Sequence, residues 1–314
     1  MQTFGPVPSR RLGRSLGINN IPPKTCPYSC TYCQLGRTIK FQIERQKFYD
    51  PQTLFEVVKK RVDQNIQAGE QIDYLAFVPD GEPTLDINFG RVIEMLKPLG
   101  IPIAVITNAS LIDKAEVRRE LAEADWVSLK VDAIRESTWR KVNRPHGKLN
   151  LSSILEGILA FSAIFKGELV TETMLMKDLN DSLENAHEVS RFIAQLNLQM
   201  AYLSIPTRPP AEPKILPATA MRVNEFYHIF SERIRRVDLL TGYEGNQFSS
   251  SGDLKSDILS ITSVHPMRRD ALDKMIADKN RGSGLLENLI NSGELVELDY
   301  SGYKYYLRNF NKHA

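Results

Sequence analysis

Cysteine is scarce in this chain of 314 residues: three are present, and all of them fall within positions 26 to 33. An odd, clustered set of thiols does not build the paired framework of a disulfide-rich secreted protein. Long apolar runs are also missing, since no stretch approaches the roughly 18 uninterrupted apolar residues of a membrane-spanning helix. We therefore expect a cytoplasmic protein in a reducing compartment, with no signal peptide and no membrane partner.

An overall excess of one charge is missing as well, because 40 Lys and Arg and 38 Asp and Glu give a net charge of +2. That balance gives no global reason to expect binding to nucleic acid. Locally the charge is uneven, since residues 1–62 contain eleven Lys or Arg and three Asp or Glu. We expect this basic segment to attract an anionic substrate, such as RNA or a phosphorylated metabolite, or an acidic redox partner.

Short β-rich runs alternate with helix-length segments from residue 15 to about residue 235. The predicted strands are Ser15–Asn20, Asp73–Pro79, Ile101–Asn108, Trp126–Asp132, Glu168–Met176 and Gln199–Pro206. The predicted helices are Gln52–Gln67, Asp86–Lys97, Asp113–Glu123, Leu151–Phe165, Ser182–Leu196 and Ala218–Ile234. Six strand–helix units predict an α/β fold with a parallel sheet, and we expect a partial (βα)6 TIM-like barrel.

Polar residues on one face of two strands favour the barrel over a flat sheet covered on both sides. Ser128, Lys130 and Asp132 alternate with apolar residues in the fourth predicted strand, and Glu172 lies in the middle of the fifth. A strand between two helical layers is apolar on both faces, whereas a barrel interior can hold a ligand. Lys130 and Asp132 alternatively pair with each other, without a ligand.

The pattern changes after residue 245. Three helix-like segments precede two β-rich runs, Glu294–Asp299 and Tyr303–Arg308, which read as a hairpin. We therefore expect a first domain over residues 1–245 and a winged-helix-like second domain over residues 246–314. Residues 253–314 contain nine Lys or Arg and nine Asp or Glu, so protein contact, an intramolecular role and nucleic-acid contact all stay open for this module.

The cysteines form the motif C-x3-C-x2-C directly after the first predicted strand. Cys26, Cys30 and Cys33 can bind three irons of a [4Fe–4S] cluster, which leaves the fourth iron open. Structural zinc is the weaker alternative, because it needs four ligands and the nearest histidine is His146. Loops at this end of barrel strands carry active sites, so we expect the cluster there.

With Tyr32 before its last cysteine, this motif resembles that of the radical S-adenosylmethionine (radical SAM) superfamily, whose hallmark is C-x3-C-x-aromatic-C after the first strand of a partial barrel. The segment Asp80–Thr84, DGEPT, is similar to the Gly-Gly-Glu motif of that family, with Asp80 in place of the first glycine. More narrowly, Phe4–Gly13 followed by the cysteine loop resembles iron–sulfur oxidoreductases related to the wyosine-tRNA synthases.

The resemblance implies two cofactors, a [4Fe–4S] cluster and S-adenosylmethionine, and an electron donor such as flavodoxin or ferredoxin. It implies reductive cleavage of S-adenosylmethionine to a 5′-deoxyadenosyl radical, which abstracts hydrogen from an unidentified substrate. Modification of RNA, including tRNA, or of protein is favoured. The alternative is an iron–sulfur redox-sensing regulator with a winged-helix nucleic-acid-binding module, although the neutral charge of that module argues against it.

The resemblance also assigns residues to these cofactors. Cys26, Cys30 and Cys33 are the cluster ligands, and Gly81 and Glu82 contact the methionine part of S-adenosylmethionine. Tyr32 packs near the adenine or covers the cluster. The other candidates for binding ribose, carboxylate or substrate are Asn108, Ser128, Lys130, Asp132 and Glu172. Arg208 either binds a substrate anion or belongs to a proline-rich exit loop, and no catalytic side chain is assigned.

Overall fold

The computed structural model describes residues 2–242, 248, 253–277 and 284–309. The strands are β1 (Thr3–Ser9), β2 (Gly13–Ile18), β3 (Thr25–Cys26), β4 (Lys40–Phe41), β5 (Tyr74–Phe77), β6 (Ile103–Thr107), β7 (Trp126–Lys130), β8 (Glu168–Met174), β9 (Met200–Ser204), β10 (Val237–Leu240), β11 (Met267–Arg268), β12 (Leu295–Tyr300) and β13 (Tyr303–Arg308). The helices are α1 (Pro51–Gln67), α2 (Phe89–Leu96), α3 (Ala115–Leu121), α4 (Glu136–Asn143), α5 (Leu151–Ile164), α6 (Leu183–Ile193), α7 (Ala220–Ser231), α8 (Leu254–Val264), α9 (Arg269–Ala277) and α10 (Leu285–Asn291).

A largely parallel sheet organises the first part of the chain, in the order β1-β2-β5-β6-β7-β8-β9-β10. Strand β1 is antiparallel to β2, and the other neighbouring strands are parallel. The predicted α/β alternation is confirmed, because β2 and β5 to β9 coincide with the six predicted strands. The sequence pattern did not predict the edge strands β1 and β10. Pro6 and Pro8 explain why β1 was not predicted, because proline within a strand is tolerated only at the edge of a sheet.

The two faces of the sheet pack differently, as the alternating pattern predicts. Val127 and Leu129 point into the main core, which the helices cover. On the opposite face, Trp126 packs with Ala76 and Leu12 in a smaller apolar cluster. We call this second face the inner face. It is the face on which Lys130 lies by strand alternation.

The sheet curls around its inner face. The turn between β1 and β2 contributes Arg10 and Arg11 from one edge of the sheet, and β10 contributes Leu240 from the other edge. These residues line the same cavity, together with Lys130 and Glu172 from the middle strands. Parallel strands with a right-handed twist permit such curvature. A concave surface therefore faces the cysteine loop.

The described residues from 253 onward form three helices and a small antiparallel sheet in the order β11-β13-β12. The predicted helices and hairpin are thus confirmed, whereas the winged-helix assignment and the two domain ranges stay predictions. The predicted boundary at residues 245 and 246 lies outside the described residues. Phe4 and Val7 of β1 pack into the core of these helices, and Arg61 of α1 pairs with buried Asp257 at 2.8 Å.

Helix starts follow the local sequence. Asp50 accepts a hydrogen bond from the Thr53 backbone N–H at 2.9 Å, and Pro51 occupies the first position of α1, where no N–H partner is needed. The helices of the described part of the chain include none that is both long and apolar enough to cross a bilayer.

Candidate active site

The cysteine loop is held against the end of α4 by backbone hydrogen bonds. The Thr31 N–H donates to the Val142 carbonyl at 2.9 Å, and the His146 N–H donates to the Pro27 carbonyl at 2.8 Å. These bonds satisfy backbone groups that would otherwise be buried without partners. The loop that carries Cys26, Cys30 and Cys33 is therefore fixed by an element more than a hundred residues away in sequence.

Gly81 allows the end of β5 to approach the start of the cysteine loop. Its φ angle is +151°, and a Cβ atom added there would lie 2.0 Å from the Thr25 carbonyl oxygen. The next residue, Glu82, donates its backbone N–H to that same oxygen at 3.1 Å. Only glycine fits this close approach. Gly81 thus joins the DGEPT segment to the residue before Cys26.

All three thiols line one cavity of about 170 Å³, which we call the cysteine cavity. Asp80, Gly81 and Asn108 also line it, so the two sequence motifs meet there. The cysteines form no disulfide. In the described ranges, no group of three or more His, Cys, Asp or Glu side chains converges closely enough to hold a metal ion.

Amide groups point at two of the sulfurs. The Asn108 side-chain amide donates to Cys26 Sγ at 3.2 Å, and that of Asn143 donates to Cys30 Sγ at 3.5 Å. Burial, together with neighbouring negative charges, raises the pKa of each thiol, to about 12 for Cys30. Cationic iron offsets both effects because it binds the thiolate form. The donor set therefore fits a cationic cluster in the cavity.

Glu82 is buried, at 1% exposure, and its carboxylate is fully bonded. It accepts from the Thr84 N–H and hydroxyl, from the Thr107 hydroxyl at 2.7 Å, and from the Asn108 backbone N–H at 2.8 Å. Burial raises the pKa of Glu82, and these bonds oppose the rise. Glu82 therefore positions Asn108 at the cysteine cavity, while its predicted contact with methionine stays a prediction.

Asp80 is the departure from the glycine of the family motif, and it lines the cysteine cavity. Its Oδ2 atom is buried without a hydrogen-bond partner among the described residues. Burial raises the pKa of Asp80 to about 7, while the positive charge of Lys24 opposes the rise. The aspartate in place of glycine therefore puts a carboxyl group beside the cysteines.

Asp132 is the centre of a second network. It accepts from the Tyr32 hydroxyl at 2.5 Å, from the Asn143 amide at 2.7 Å and from the Met174 backbone N–H at 2.8 Å. Burial and the charge of Asp132 raise the pKa of Tyr32, which keeps its hydroxyl protonated as the donor. Tyr32 is thereby fixed beside two cysteines, and Asp132 is occupied by these partners.

The alternative pairing of Lys130 with Asp132 is wrong, because Lys130 bonds Glu172 at 2.7 Å instead. Arg11 binds the other oxygen of Glu172, Oε2, and the Ser204 hydroxyl donates to Oε1, the oxygen that Lys130 binds, at 2.9 Å. Burial alone raises the pKa of Glu172, but the charges of Arg11 and Lys130 outweigh it and hold the pKa well below its usual range. The sequence did not predict Arg11 as a partner of Glu172, because an Arg–Arg pair in a turn gives no indication of what either arginine contacts.

A second cavity of about 230 Å³, which we call the arginine cavity, adjoins the first. Its charged lining residues are Arg10, Arg11, Lys130, Glu172 and Arg208. The two cavities lie side by side, because they share the lining residues Tyr32, Cys33, Leu35, Val78, Ile106 and Lys130.

Three predicted site residues, Glu82, Asp132 and Ser128, line neither cavity. Glu82 and Asp132 accept hydrogen bonds from residues that do, whereas Ser128 makes no such contact. It lies two residues before Lys130 on β7 and pairs with Val170 of β8, in the apolar part of the inner face. Its hydroxyl is buried without a hydrogen-bond partner among the described residues. The structure therefore does not support a cofactor contact for Ser128, because Ser128 lies two residues farther along β7 from the cavities than Lys130 does.

Comparisons with known proteins show which family this chain is similar to. A sequence profile of the Radical SAM superfamily matches residues 20–189. A UPF0026 protein of Methanocaldococcus jannaschii is 46% identical over 308 residues, covering 98% of this chain and 95% of the relative. An S-adenosylmethionine-dependent nucleotide dehydratase of Flammeovirga pacifica is 25% identical, covering 54% of this chain and 60% of the relative.

A solved structure shows the same fold. The radical SAM methyltransferase from Sphaerobacter thermophilus superposes with a TM-score of 0.56 and 16% sequence identity, over 72% of this chain and 66% of that one. The matched profile covers more than half of the chain and includes the cysteine motif and the DGEPT segment. The chain belongs to the radical SAM superfamily, as the cysteine motif predicts.

Proposed function

We propose that this protein holds a [4Fe–4S] cluster through Cys26, Cys30 and Cys33 and uses it to cleave S-adenosylmethionine. The observation that carries the proposal is that three half-buried cysteines, none of them in a disulfide, line one cavity beside Gly81. When bound, the cluster and S-adenosylmethionine supply a 5′-deoxyadenosyl radical, which abstracts hydrogen from the substrate. The family membership and the relative named as S-adenosylmethionine-dependent support this chemistry.

The residues around the thiols hold the cofactors in place. The Asn108 and Asn143 amides stabilise the thiolate charge of Cys26 and Cys30, as outer-shell hydrogen bonds do in metal centres. Asp80 and the backbone at Gly81 line the cavity beside the cysteines, and a carboxylate there suits the ammonium group of S-adenosylmethionine. Tyr32, which Asp132 fixes by a hydrogen bond, and Lys130 line both cavities, where they would contact ribose or substrate.

The sheet architecture supports a partial barrel of the radical SAM type. Its inner face is lined by polar and charged residues at the ends of β7 and β8, next to the cysteine loop. A concave site of this kind excludes bulk water and limits side reactions of a reactive intermediate. Apolar packing of Leu12 against Ala76 and Trp126 closes the deeper part of the inner face.

The C-terminal module, which we infer to be winged-helix-like, supports the site from within the molecule. The Tyr300 hydroxyl donates to the Pro206 carbonyl at 3.0 Å, and that of Tyr305 donates to the Thr207 carbonyl at 2.9 Å. The Gln34 side chain, one residue after Cys33, donates to the Val264 carbonyl at 3.1 Å. These contacts favour an intramolecular role, so the alternative of a nucleic-acid-binding regulator is not favoured.

The reduction needs an external electron donor, and we propose an acidic one such as flavodoxin or ferredoxin. The excess of positive charge in residues 1–62 supports this partner, because complementary charge accelerates association. Modification of RNA, tRNA included, or of protein remains the favoured substrate class. Between these two substrate classes, the resemblance of Phe4–Gly13 to relatives of the wyosine-tRNA synthases favours RNA.

Iron and sulfide analysis after anaerobic reconstitution tests the cluster assignment. The wild-type chain should bind about four irons and four sulfides. Cys26→Ser, Cys30→Ser and Cys33→Ser should each lose most of that iron, whereas Ser29→Ala in the same loop should retain it. Equal iron content in the cysteine variants and in the wild type would rule the three thiols out as ligands.

A further inference from the structure

Asp80 is the one carboxylate among the described residues that line the cysteine cavity. Glu82 and Asp132 lie outside that lining, and both accept hydrogen bonds from protein groups. Asp80 is 3% exposed, and its Oδ2 atom is buried with no hydrogen-bond partner among the described residues. The cavity therefore combines three thiols with one carboxylate oxygen that has no protein donor in the described part of the chain.

The backbone holds Asp80 beside the first cysteine. The Lys24 N–H donates to the Asp80 carbonyl at 2.6 Å, and the Glu82 N–H donates to the Thr25 carbonyl at 3.1 Å. Thr25 directly precedes Cys26 and forms a parallel bridge with the residue after Asp80. A short side chain on a fixed backbone has few rotamers, so the carboxylate stays at the cavity.

Burial dominates the electrostatics of the Asp80 carboxylate. It raises the pKa of Asp80 to about 7, and the positive charge of Lys24 opposes that rise without cancelling it. The Lys24 ammonium group also donates to the Leu35 carbonyl. Burial and, to a smaller extent, the charge of Asp80 raise the pKa of Cys33. A buried carboxylate beside thiols costs free energy, and a cation that binds all of these groups removes that cost.

We propose that the Asp80 carboxylate binds the fourth iron of the [4Fe–4S] cluster when S-adenosylmethionine is absent. Three cysteines bind three irons, so one iron has no cysteine ligand. Each ligand of a cluster binds a different iron, and the ligands therefore need not converge on one point. Histidine replaces cysteine in some iron–sulfur clusters, and carboxylate oxygen is a common ligand of non-haem iron.

The assignment gives a role to the aspartate that stands in place of the first glycine of the family motif. S-adenosylmethionine carries a carboxylate of its own, which can replace that of Asp80 on the iron. One iron–oxygen bond then breaks as another forms, and no electron is transferred. The inference rests on the proposed function, because it needs a cluster in the cysteine cavity.

Electron–nuclear double resonance in ¹⁷O-labelled water tests whether the fourth iron carries a protein ligand or a water. The full chain is reconstituted anaerobically, freed of thiol reagents and of S-adenosylmethionine, and reduced with dithionite. We expect no coupling from iron-bound water in the wild type. Asp80→Gly and Asp80→Ala should both show that coupling, because water takes the place of the lost carboxylate.

Retention of the fourth iron gives a second measurement on the same proteins. During mild oxidation with ferricyanide, Asp80→Gly and Asp80→Ala should lose this iron about tenfold or more faster than the wild type, seen as a [3Fe–4S] signal in electron paramagnetic resonance. Saturating S-adenosylmethionine should remove the difference, because it then occupies the iron in all proteins. Asp113→Ala, at an exposed position before α3, should behave as the wild type does.

Two results would overturn the inference: bound water in the wild type as strong as in Asp80→Gly, or Asp80 variants that gain no water and lose iron at the wild-type rate. If neither variant holds a cluster, the wild-type spectrum decides, since bound water there contradicts the ligand and its absence supports it. A four-iron cluster with water on its fourth iron contradicts Asp80 alone, whereas a chain that binds no cluster contradicts the proposed function.

Discussion

Asn108 donates a hydrogen bond from its side-chain amide to the sulfur of Cys26, at 3.2 Å. The backbone N–H of the same residue donates to Glu82 Oε2 at 2.8 Å. A buried carboxylate from the DGEPT segment thus fixes the end of β6, and the end of β6 presents an amide to a cysteine. The two sequence motifs act on one sulfur through this residue.

Asn108→Ala should shift the reduction potential of the bound cluster to a more negative value. A hydrogen bond to a cluster sulfur stabilises the additional negative charge of the reduced state, and the substitution removes it. Iron release to a chelator should also become about tenfold easier. A redox titration followed by electron paramagnetic resonance measures the potential.

The control for that substitution is Asn88→Ala, since the Asn88 side chain makes no capping hydrogen bond at the start of α2. Its potential should equal that of the wild type. An Asn108→Ala protein with an unchanged potential would show that the amide does not act on the cluster.

Gly81→Ala should destabilise the protein by about 3 kcal/mol and reduce its iron content, because the new Cβ would lie 2.0 Å from the Thr25 carbonyl oxygen. Gly147→Ala is the matched control, since its Cβ would meet nothing within 4 Å. Urea denaturation and iron analysis check both variants. If Gly81→Ala keeps the stability and iron of Gly147→Ala, the close approach of β5 to the cysteine loop is not required.

Asp86 should make stability depend on pH. Burial raises the pKa of Asp86 from 3.8 to about 6, although the Asn88 N–H bond and Arg45 oppose the rise. The folded state therefore holds this proton more tightly than the unfolded state does. Its contribution is fully present below about pH 4 and is lost as pH rises through about 6, by up to about 3 kcal/mol.

Asp86→Asn should remove that dependence, so that its free energy of unfolding falls less steeply than that of the wild type between pH 4 and 7. Asp113→Asn, at an exposed position before α3, should run parallel to the wild type. Urea denaturation at several pH values provides the curves. Equal slopes in the Asp86→Asn variant and in the wild type would contradict the shifted pKa.

The buried ion pair between Arg61 and Asp257 should be important for stability. Their side chains are 12% and 2% exposed, so Asp257→Ala leaves a buried guanidinium without its carboxylate. We expect a loss of about 3 to 5 kcal/mol in the free energy of unfolding. The exposed pair of Lys59 and Asp63 is the control, and Asp63→Ala should cost less than about 1 kcal/mol. Similar losses in the two variants would show that burial does not matter at this contact.

Much of the parallel sheet could be predicted from the sequence, because the alternation of inward-facing and outward-facing side chains along a strand is a local pattern. Val127 and Leu129 face the helices and Lys130 faces inward, as a period of two requires. The edge strand β1 does not follow, since Pro6 and Pro8 interrupt its pattern. Helix α4 was also not predicted, and few of its residues are apolar: Trp139 and Val142 form its buried apolar face.

The site divides in the same way. The cysteine spacing is a local signal that predicts the loop, and the DGEPT segment predicts its neighbour. The ion-pair partners of the charged residues on the inner face depend on how distant segments approach in the fold, which the sequence pattern does not show. Lys130 binds Glu172, for example, and not Asp132. Arg11 and Glu172 are 161 positions apart in the sequence, so a local sequence pattern cannot predict their contact. Ser128 has the right parity but lies too deep in the strand to reach a cavity.

The most direct test of the central claim is the formation of 5′-deoxyadenosine. The chain is reconstituted anaerobically, reduced with dithionite and mixed with S-adenosylmethionine, and the products are measured by liquid chromatography with mass spectrometry. We predict 5′-deoxyadenosine and methionine from the wild type and neither from Cys30→Ala. A wild-type chain that holds about four irons and forms no 5′-deoxyadenosine would contradict the account.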